Sequence, residues 1–232
     1  MALRTQTLKL IPLIIMSMSI PTPAQERQTS NSFVPGDVVI KFVPKTKIAD
    51  SVEPKPGSGD PTEPLMDYVH SISAELGVPL QVKRLGSGGI IILTINRTQL
   101  LAGWGEKLRC KENVNSVQTY SVEEAPRSTE PSLYVQFAKG TQEQKMLSQV
   151  AESGKDAGPA IQSIVEKLRK ELKVPLVATV EGPGRLQIKP DINALTLDVV
   201  ERLKKKSEIE YAQPDFIRGR MGATGPPLKM SP

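Results

Sequence analysis

Hydrophobic and polar residues alternate from Gly36 to Phe42, placing Val38, Ile40 and Phe42 on one side, and this spacing predicts a strand. A Pro/Gly/Asp-rich stretch from Pro44 to Pro64 reads as a loop. Leu65, Val69, Ile72 and Leu76 then step by 4, 3 and 4, the period of an amphipathic helix, which Gly77 and Pro79 stop. Leu80 to Leu85 reads as a second strand. Gly86-Ser87-Gly88-Gly89 makes a tight turn, and the β-branched run Ile90 to Ile95 is a third strand. Thr98 is a candidate cap for a helix that turns Leu101, Trp104 and Leu108 inward. Asn113 to Tyr120 closes the series as a strand, with Val114 and Val117 as its apolar positions. The order is β-α-β-β-α-β.

The same order returns further along. Leu133, Val135 and Phe137 repeat Val38, Ile40 and Phe42 at an offset of 95, and Val174-Pro175-Leu176 repeats Val78-Pro79-Leu80 at 96. Between them lie a polar loop with a helical turn (Gln142 to Val150) and a helix face of Ile161, Val165, Leu168 and Leu172. Glu181-Gly182-Pro183-Gly184 replaces the glycine turn, and Leu186 and Ile188 continue the third strand. Leu197, Val200 and Leu203 are the expected inward face of the last helix, and Ile209 matches Val114 at 95. The last strand, with Ile209, Tyr211 and Ala212 as apolar positions, should end at Pro214, which cannot donate to a ladder. The chain is therefore a tandem duplication. It predicts an α+β fold of two tandem ferredoxin-like (βαββαβ) units, each a four-stranded antiparallel sheet with two helices on one face.

Composition adds boundaries. Arg4 and Lys9 precede an apolar run, Leu10 to Ile20, and Thr22-Pro23-Ala24 supplies a cleavage pattern, so residues 1–24 read as a signal peptide for export to the periplasm or medium. The run is short for a membrane span. Residues 33–122 and 131–217 are the two expected domains, 123–130 a linker with Pro126, and 218–232 a disordered Gly/Pro-rich tail. Removing two basic residues and no acidic one takes the net charge from +5 to +3, with basic residues scattered among acids. That balance, with export, argues against nucleic acid as a partner. One cysteine, Cys110, excludes an internal disulfide framework.

Candidate chemistry is sparse. His70 is the only histidine and sits off the apolar stripe of its helix, so no nucleophile has a base beside it. Cys110 reads as a partly buried structural thiol and Trp104 as core. Gly86 to Gly89 joins two strands and opens no helix, unlike a phosphate loop. Asn96-Arg97-Thr98 fits a glycosylation sequon, which helix capping explains equally well. No side-chain cluster has metal-ligand spacing. No catalytic residue, metal or cofactor is expected.

The opening strand Pro-Gly-Asp-Val-Val-Ile-Lys-Phe (Pro35 to Phe42), the helix and hairpin middle and the closing Ile-Glu-Tyr-Ala-Gln-Pro-Asp (Ile209 to Asp215) resemble the propeptides of subtilisin-like serine proteases. The likeness is to fervidolysin-type prodomains and free-standing propeptide-like inhibitors. It spans both repeats and is weaker in the first, where Asn113 to Val117 stands in the closing position. No Asp, His or Ser block of a protease domain is present. The resemblance implies a non-catalytic binding protein that acts in trans, inhibiting or chaperoning a subtilisin-like serine protease. Its sheet would pack on the enzyme and its C-terminal tail would lie in the substrate cleft. Carried over, the tail is Gln213, Pro214, Asp215, Phe216, Ile217 and Arg218, with Phe216 as anchor, laid along an enzyme edge strand. The other reading is a structural or assembly module that kept the fold without binding a protease. The first requires an accessible tail past Gln213; the second places that tail against its own fold.

Overall fold

The computed structural model describes residues 32–52, 61–86, 88–120, 130–153 and 158–217. The expected signal peptide (1–24), most of the expected linker and the terminal tail (218–232) lie outside the described residues. Along the chain run β1 (Phe33–Phe42), α1 (Lys47–Val52), α2 (Glu63–Leu76), β2 (Leu80–Leu85), β3 (Ile90–Ile95), α3 (Arg97–Arg109) and β4 (Val114–Tyr120). They are followed by β5 (Ser132–Phe137), α4 (Gln142–Ser153), α5 (Gly158–Leu172), β6 (Leu176–Gly182), β7 (Arg185–Pro190), α6 (Ile192–Leu203) and β8 (Ile209–Phe216). The class is the expected one: α+β, with two four-stranded antiparallel sheets consistent with two ferredoxin-like units.

The two sheets do not follow the repeat boundaries. One sheet has the order β2-β3-β1-β8 and the other β4-β5-β7-β6. The last helix and strand of each repeat have changed places. β8 pairs with β1, Ile40 opposite Ala212, and β4 pairs with β5, Val117 opposite Val135. The helices follow their strands. On the first sheet the buried Gly36 N–H donates to Thr196 Oγ1 of α6 at 2.8 Å. On the second, a Leu133 methyl lies 3.5 Å from where a Cβ on Gly105 of α3 would stand. The second sheet is thus built from one continuous stretch, α3 to β7, and the first from the two stretches that flank it.

Cross-strand chemistry explains the exchange. Lys41 meets Glu210 at 2.8 Å across β1 and β8. At the repeat offset of 95, an unexchanged sheet would set Lys41 beside Asn115 and Glu210 beside Gln136, with no charge pair in either. Tyr120 and Tyr134 meet edge to face across β4 and β5, ring centroids 4.9 Å apart. Unexchanged, their neighbours would be Val39 and Asp215. Such pairs are each worth about 0.2–1 kcal/mol relative to small residues. β4 and β5 also follow one another in the chain, separated by residues 121–131.

Local signals hold the crossovers in place. Asn96 and Asp191, one residue before α3 and α6 and 95 apart, accept from Gln99 N (3.0 Å) and Ala194 N (3.1 Å). Asn96, not Thr98, is therefore the cap of α3, because the chain turns into helix one residue after β3. The two crossovers lie side by side: Arg97 Nη2 and Ile192 Cγ2 are 3.8 and 3.6 Å from where a Cβ on Gly36 would be. Gly36 itself has φ +96, a conformation that favours glycine.

The repeat also continues through the stretches read as loops. Thr46 and Thr141, 95 apart, accept from Ala49 N and Gln144 N and open α1 and α4. Val52 and Leu147, again 95 apart, are fully buried. Each sheet is therefore backed by one more helix than expected: α1, α2 and α6 on the first, α3, α4 and α5 on the second. The core is the apolar alternation of the central strands, Val38, Ile40, Phe42, Ile91 and Leu93 in one sheet and Leu133, Val135, Phe137, Leu186 and Ile188 in the other. Burying each such side chain contributes about 1.5–3 kcal/mol relative to exposure. On α6 the inward face is Leu195, Val199, Val200 and Leu203, whereas Leu197, expected inward, is 48% exposed. The helix begins at Ile192, and its register is set by Thr196 against Gly36.

Candidate functional site

The segment expected to form a cleft-binding tail is for the most part the last strand of the first sheet. Gln213 lies opposite Val39, Pro214 opposite Val38 and Phe216 opposite Phe33, and Ile217 N donates to Ser32 O at 3.0 Å. Pairing does not end at Pro214. β8 is an edge strand with one partner, so alternate N–H groups are not required by the ladder, and a proline fits at such a position. The Pro214 ring is buried with Ile209 and Ala212 on the helix side. A register shift beside Ile209 turns Tyr211, expected to share that face, half out toward solvent. Gln213 is exposed and Asp215 half-buried, while Phe216 and Ile217 are 39% and 56% exposed at the point where the chain leaves the sheet. Arg218 lies outside the described residues.

The helix-free faces of the two sheets differ in chemistry. On the first, Lys83 pairs with Asp37, whose side chain is 3% exposed, and Lys41 pairs with Glu210. On the second, the Arg185 guanidinium lies 4.7 Å from the centre of the Tyr134 ring, which packs against Tyr120. Gln187 Nε2 donates to Tyr134 Oη (2.8 Å) and to Ser132 Oγ (3.0 Å), fixing the ring. A cavity of about 80 Å³ beside it is lined by Ser116, Gln118, Tyr134, Gln136 and Arg185.

The ends of the first sheet are latched. Tyr68 of α2 donates to Glu208 Oε1 at 3.0 Å, just before β8. Burial, then this bond and the carboxylate charge, push the Tyr68 phenol well above its ordinary range. Burial works against the Glu208 carboxylate, but its own backbone N–H, Ser207, Tyr68 and Lys206 outweigh it and hold the group below the usual carboxylate range. In the second sheet Glu143 is also held low. Burial opposes this, and its backbone N–H, Lys167 at 3.2 Å and Asn113 prevail.

The other residues singled out in the sequence are dispersed. His70 is exposed on α2, and Trp104 is buried, as expected for core. Cys110 is exposed at the end of α3, not partly buried, because Leu108 is the last inward position of that helix. The turn after Gly86 is a hairpin, with Gly86 N donating to Ile90 O at 2.7 Å and Gly88 and Gly89 at φ +68 and +72. An open groove of about 710 Å³ lies between α2 and α3, lined by Leu80, Leu100 and Trp104 together with His70 and Lys107. No group of three or more metal-ligating side chains occurs among the described residues. None of their helices is long and apolar enough to cross a membrane. Sequence reasoning missed Arg185 and Tyr134. Their alternation with buried Leu186 and Val135 placed them on an outer face, but only the β4–β5 pairing brings Tyr120 beside them. Compared with family models, curated proteins and solved structures, the chain finds no match in any of the three.

Proposed function

We propose that this is an exported, non-catalytic binding protein that acts in trans on a subtilisin-like serine protease, as inhibitor or folding chaperone. The observation that carries the reading is the end of β8: an edge strand that leaves its sheet with two apolar side chains, Phe216 and Ile217, exposed. The free edge of β8 offers backbone groups to an enzyme strand, and the exposed pair offers side chains to its pockets. The likeness to subtilase propeptides in Pro35 to Phe42 and Ile209 to Asp215 names the enzyme class. Because Gln213 and Pro214 are held in the sheet, whereas Phe216 and Ile217 are exposed at its end, the proposed cleft-binding portion starts at Phe216 and continues through Ile217 and Arg218, rather than at Gln213.

The pairing of Gln213 to Phe216 with β1 also favours the second reading, a structural or assembly module, since it sets that stretch against its own fold. A titration of residues 25–232 against a panel of subtilisin-like proteases separates the two. Saturable inhibition that is lost when the chain ends at Asp215 supports the protease reading. Equal inhibition by both moves the contact to the sheet face. Absence of inhibition, with the protein surviving intact, leaves the assembly reading.

A further inference from the structure

We propose that the helix-free face of the second sheet is a second binding surface, one that recognises an acidic side chain on a polypeptide partner. The argument begins with charge. β4, β5 and β7 contain no acidic residue, the edge strand β6 contains one, Glu181, and β7 presents Arg185 and Lys189 on the outer face. Neither cation has an ion-pair partner among the described residues, whereas on the first sheet Lys83 and Lys41 are both paired. A half-buried guanidinium that forms no ion pair among the described residues is a donor set awaiting an acceptor.

The surroundings of Arg185 are built to hold it. Its guanidinium lies over the Tyr134 ring at 4.7 Å, and that ring is fixed by Tyr120 on one side and by Gln187 at its hydroxyl. The cavity of about 80 Å³ next to it has room for a carboxylate group and one or two waters, each water taking about 30 Å³. Gln136 in its lining donates to Pro183 O and Gly184 O, while two other lining donors are unengaged among the described residues. Gln118 uses its carbonyl oxygen to accept from Tyr120 Oη at 3.3 Å, leaving its NH₂ free, and Ser116 has no partner among the described residues. Arginine, serine and a side-chain amide converging on a cavity lined by no acidic side chain favour a carboxylate, and the adjoining tyrosine pair suits the apolar neighbours of such a residue in a peptide. This surface is separate from the end of β8, so it stands whether or not a protease is bound there.

The test uses residues 25–232 and a blocked pentapeptide, acetyl-Ser-Glu-Phe-Glu-Ser-amide, followed through the Arg185 Nε–H and the backbone amides of β5 and β7 by NMR. The same peptide with glutamine for glutamate, an uncharged peptide with a free C-terminal carboxylate, and a single-stranded oligonucleotide run beside it. Saturable shifts confined to the second sheet are expected with the glutamate peptide only. Arg185→Gln should weaken them about ten- to a hundredfold, the loss of a charge-assisted bond. Arg185→Lys, which keeps the charge without the planar fork, should fall between. Unchanged amide spectra away from the site confirm that both variants fold. Equal binding of the glutamine peptide, binding untouched by Arg185→Gln, no saturation by any peptide, or preference for the free-acid peptide or the oligonucleotide would each overturn the proposal.

Discussion

The two sheets come from one repeated sequence, yet they are assembled and finished differently. The second is continuous in the chain, from α3 to β7, and its outer face carries a fixed tyrosine pair under an arginine that has no ion-pair partner among the described residues. The first is closed by the two ends of the described chain, β1 and β8, and its outer charges are paired across the strands that close it. In both, the helix-side positions are interchangeable between repeats: Phe42 and Phe137, Val52 and Leu147, Ile209 and Val114. What differs is the outer side, where Lys41 and Glu210 match only each other, and Tyr120 and Tyr134 likewise. The outer cross-strand pairs, together with the buried Gly36–Thr196 bond on the helix side, favour the observed last strand in each sheet.

The comparison breaks most visibly if β8 is removed. A chain ending at Ser207 loses the strand that covers one side of β1, together with the buried Ile209, Ala212 and Pro214. The first sheet should lose cooperative protection altogether. The second, whose four strands all lie before the cut, should keep it. Amide hydrogen exchange reads both at once: β1 and β3 should exchange at the rate of an unfolded chain while β5 and β7 stay slow. Simultaneous loss in both sheets would show that they form one cooperative unit despite their separate strands.

Single side chains test the same division at lower cost. Phe42 and Phe137 are equivalent in the repeat, and 1% and 3% exposed. Replacing either with alanine should cost about 3–5 kcal/mol. Phe42→Ala should be felt in the first sheet, where its ring meets Tyr68 at 5.3 Å, and Phe137→Ala in the second. Denaturant melts of the two variants, with exchange to locate the damage, check whether each loss stays in its own sheet.

Most of this skeleton was legible in the sequence because it rests on periodicity. The 4, 3, 4 spacing of Leu65, Val69, Ile72 and Leu76 and the alternation of Leu133, Val135 and Phe137 are local facts. So are the strands Leu80 to Leu85 and Ile90 to Ile95, whose ends fall where the glycine turn sets them. The exchange was not legible in that way, since apolar alternation is the same in β4 and β8 and names no partner. It was encoded in the outward residues, where Lys41 with Glu210 and Tyr120 with Tyr134 become signals only when strands are compared in pairs. Polar surroundings hid α1 and left α4 read only as a helical turn from Gln142 to Val150, although Thr46 and Thr141 stand at the repeat offset. Of the tail, Phe216 and Ile217 are exposed, while Gln213 and Pro214 belong to the sheet because an edge strand accommodates proline.

A smaller effect sharpens the contrast in the first sheet. Gly36 N–H is buried against Thr196 Oγ1, whereas the position 95 residues earlier is Leu101. Thr196→Val preserves shape but leaves that N–H without an acceptor, and should cost about 1–3 kcal/mol. Because Gly36 adjoins both crossovers, the loss should appear as faster exchange in the first strand of β1 and the first turn of α6, with β5 and β7 unchanged. A denaturant melt of the variant gives the total, and exchange its place.

The smallest effect is one of pH, and it also belongs to the first sheet alone. Tyr68 donates to Glu208, whereas the position equivalent to Glu208 is Asn113, so the second sheet has no such latch. Tyr68→Phe should cost about 1 kcal/mol at neutral pH, the net worth of a typical hydrogen bond. The sign with pH follows from the two groups. The folded protein holds the phenol above its ordinary value of 10.0, so its contribution is complete below pH 10 and is lost as pH rises beyond it, because the unfolded chain ionises first. Glu208 is held below the ordinary carboxylate value, so its contribution is complete above that value and fades as pH falls through the lower folded one. The stability difference between wild type and Tyr68→Phe should therefore be flat through neutral pH and shrink at both extremes. Denaturant melts of the pair at pH 3, 7 and 11 would show it, and a difference that grows above pH 10 would mean that Tyr68 is not held by Glu208.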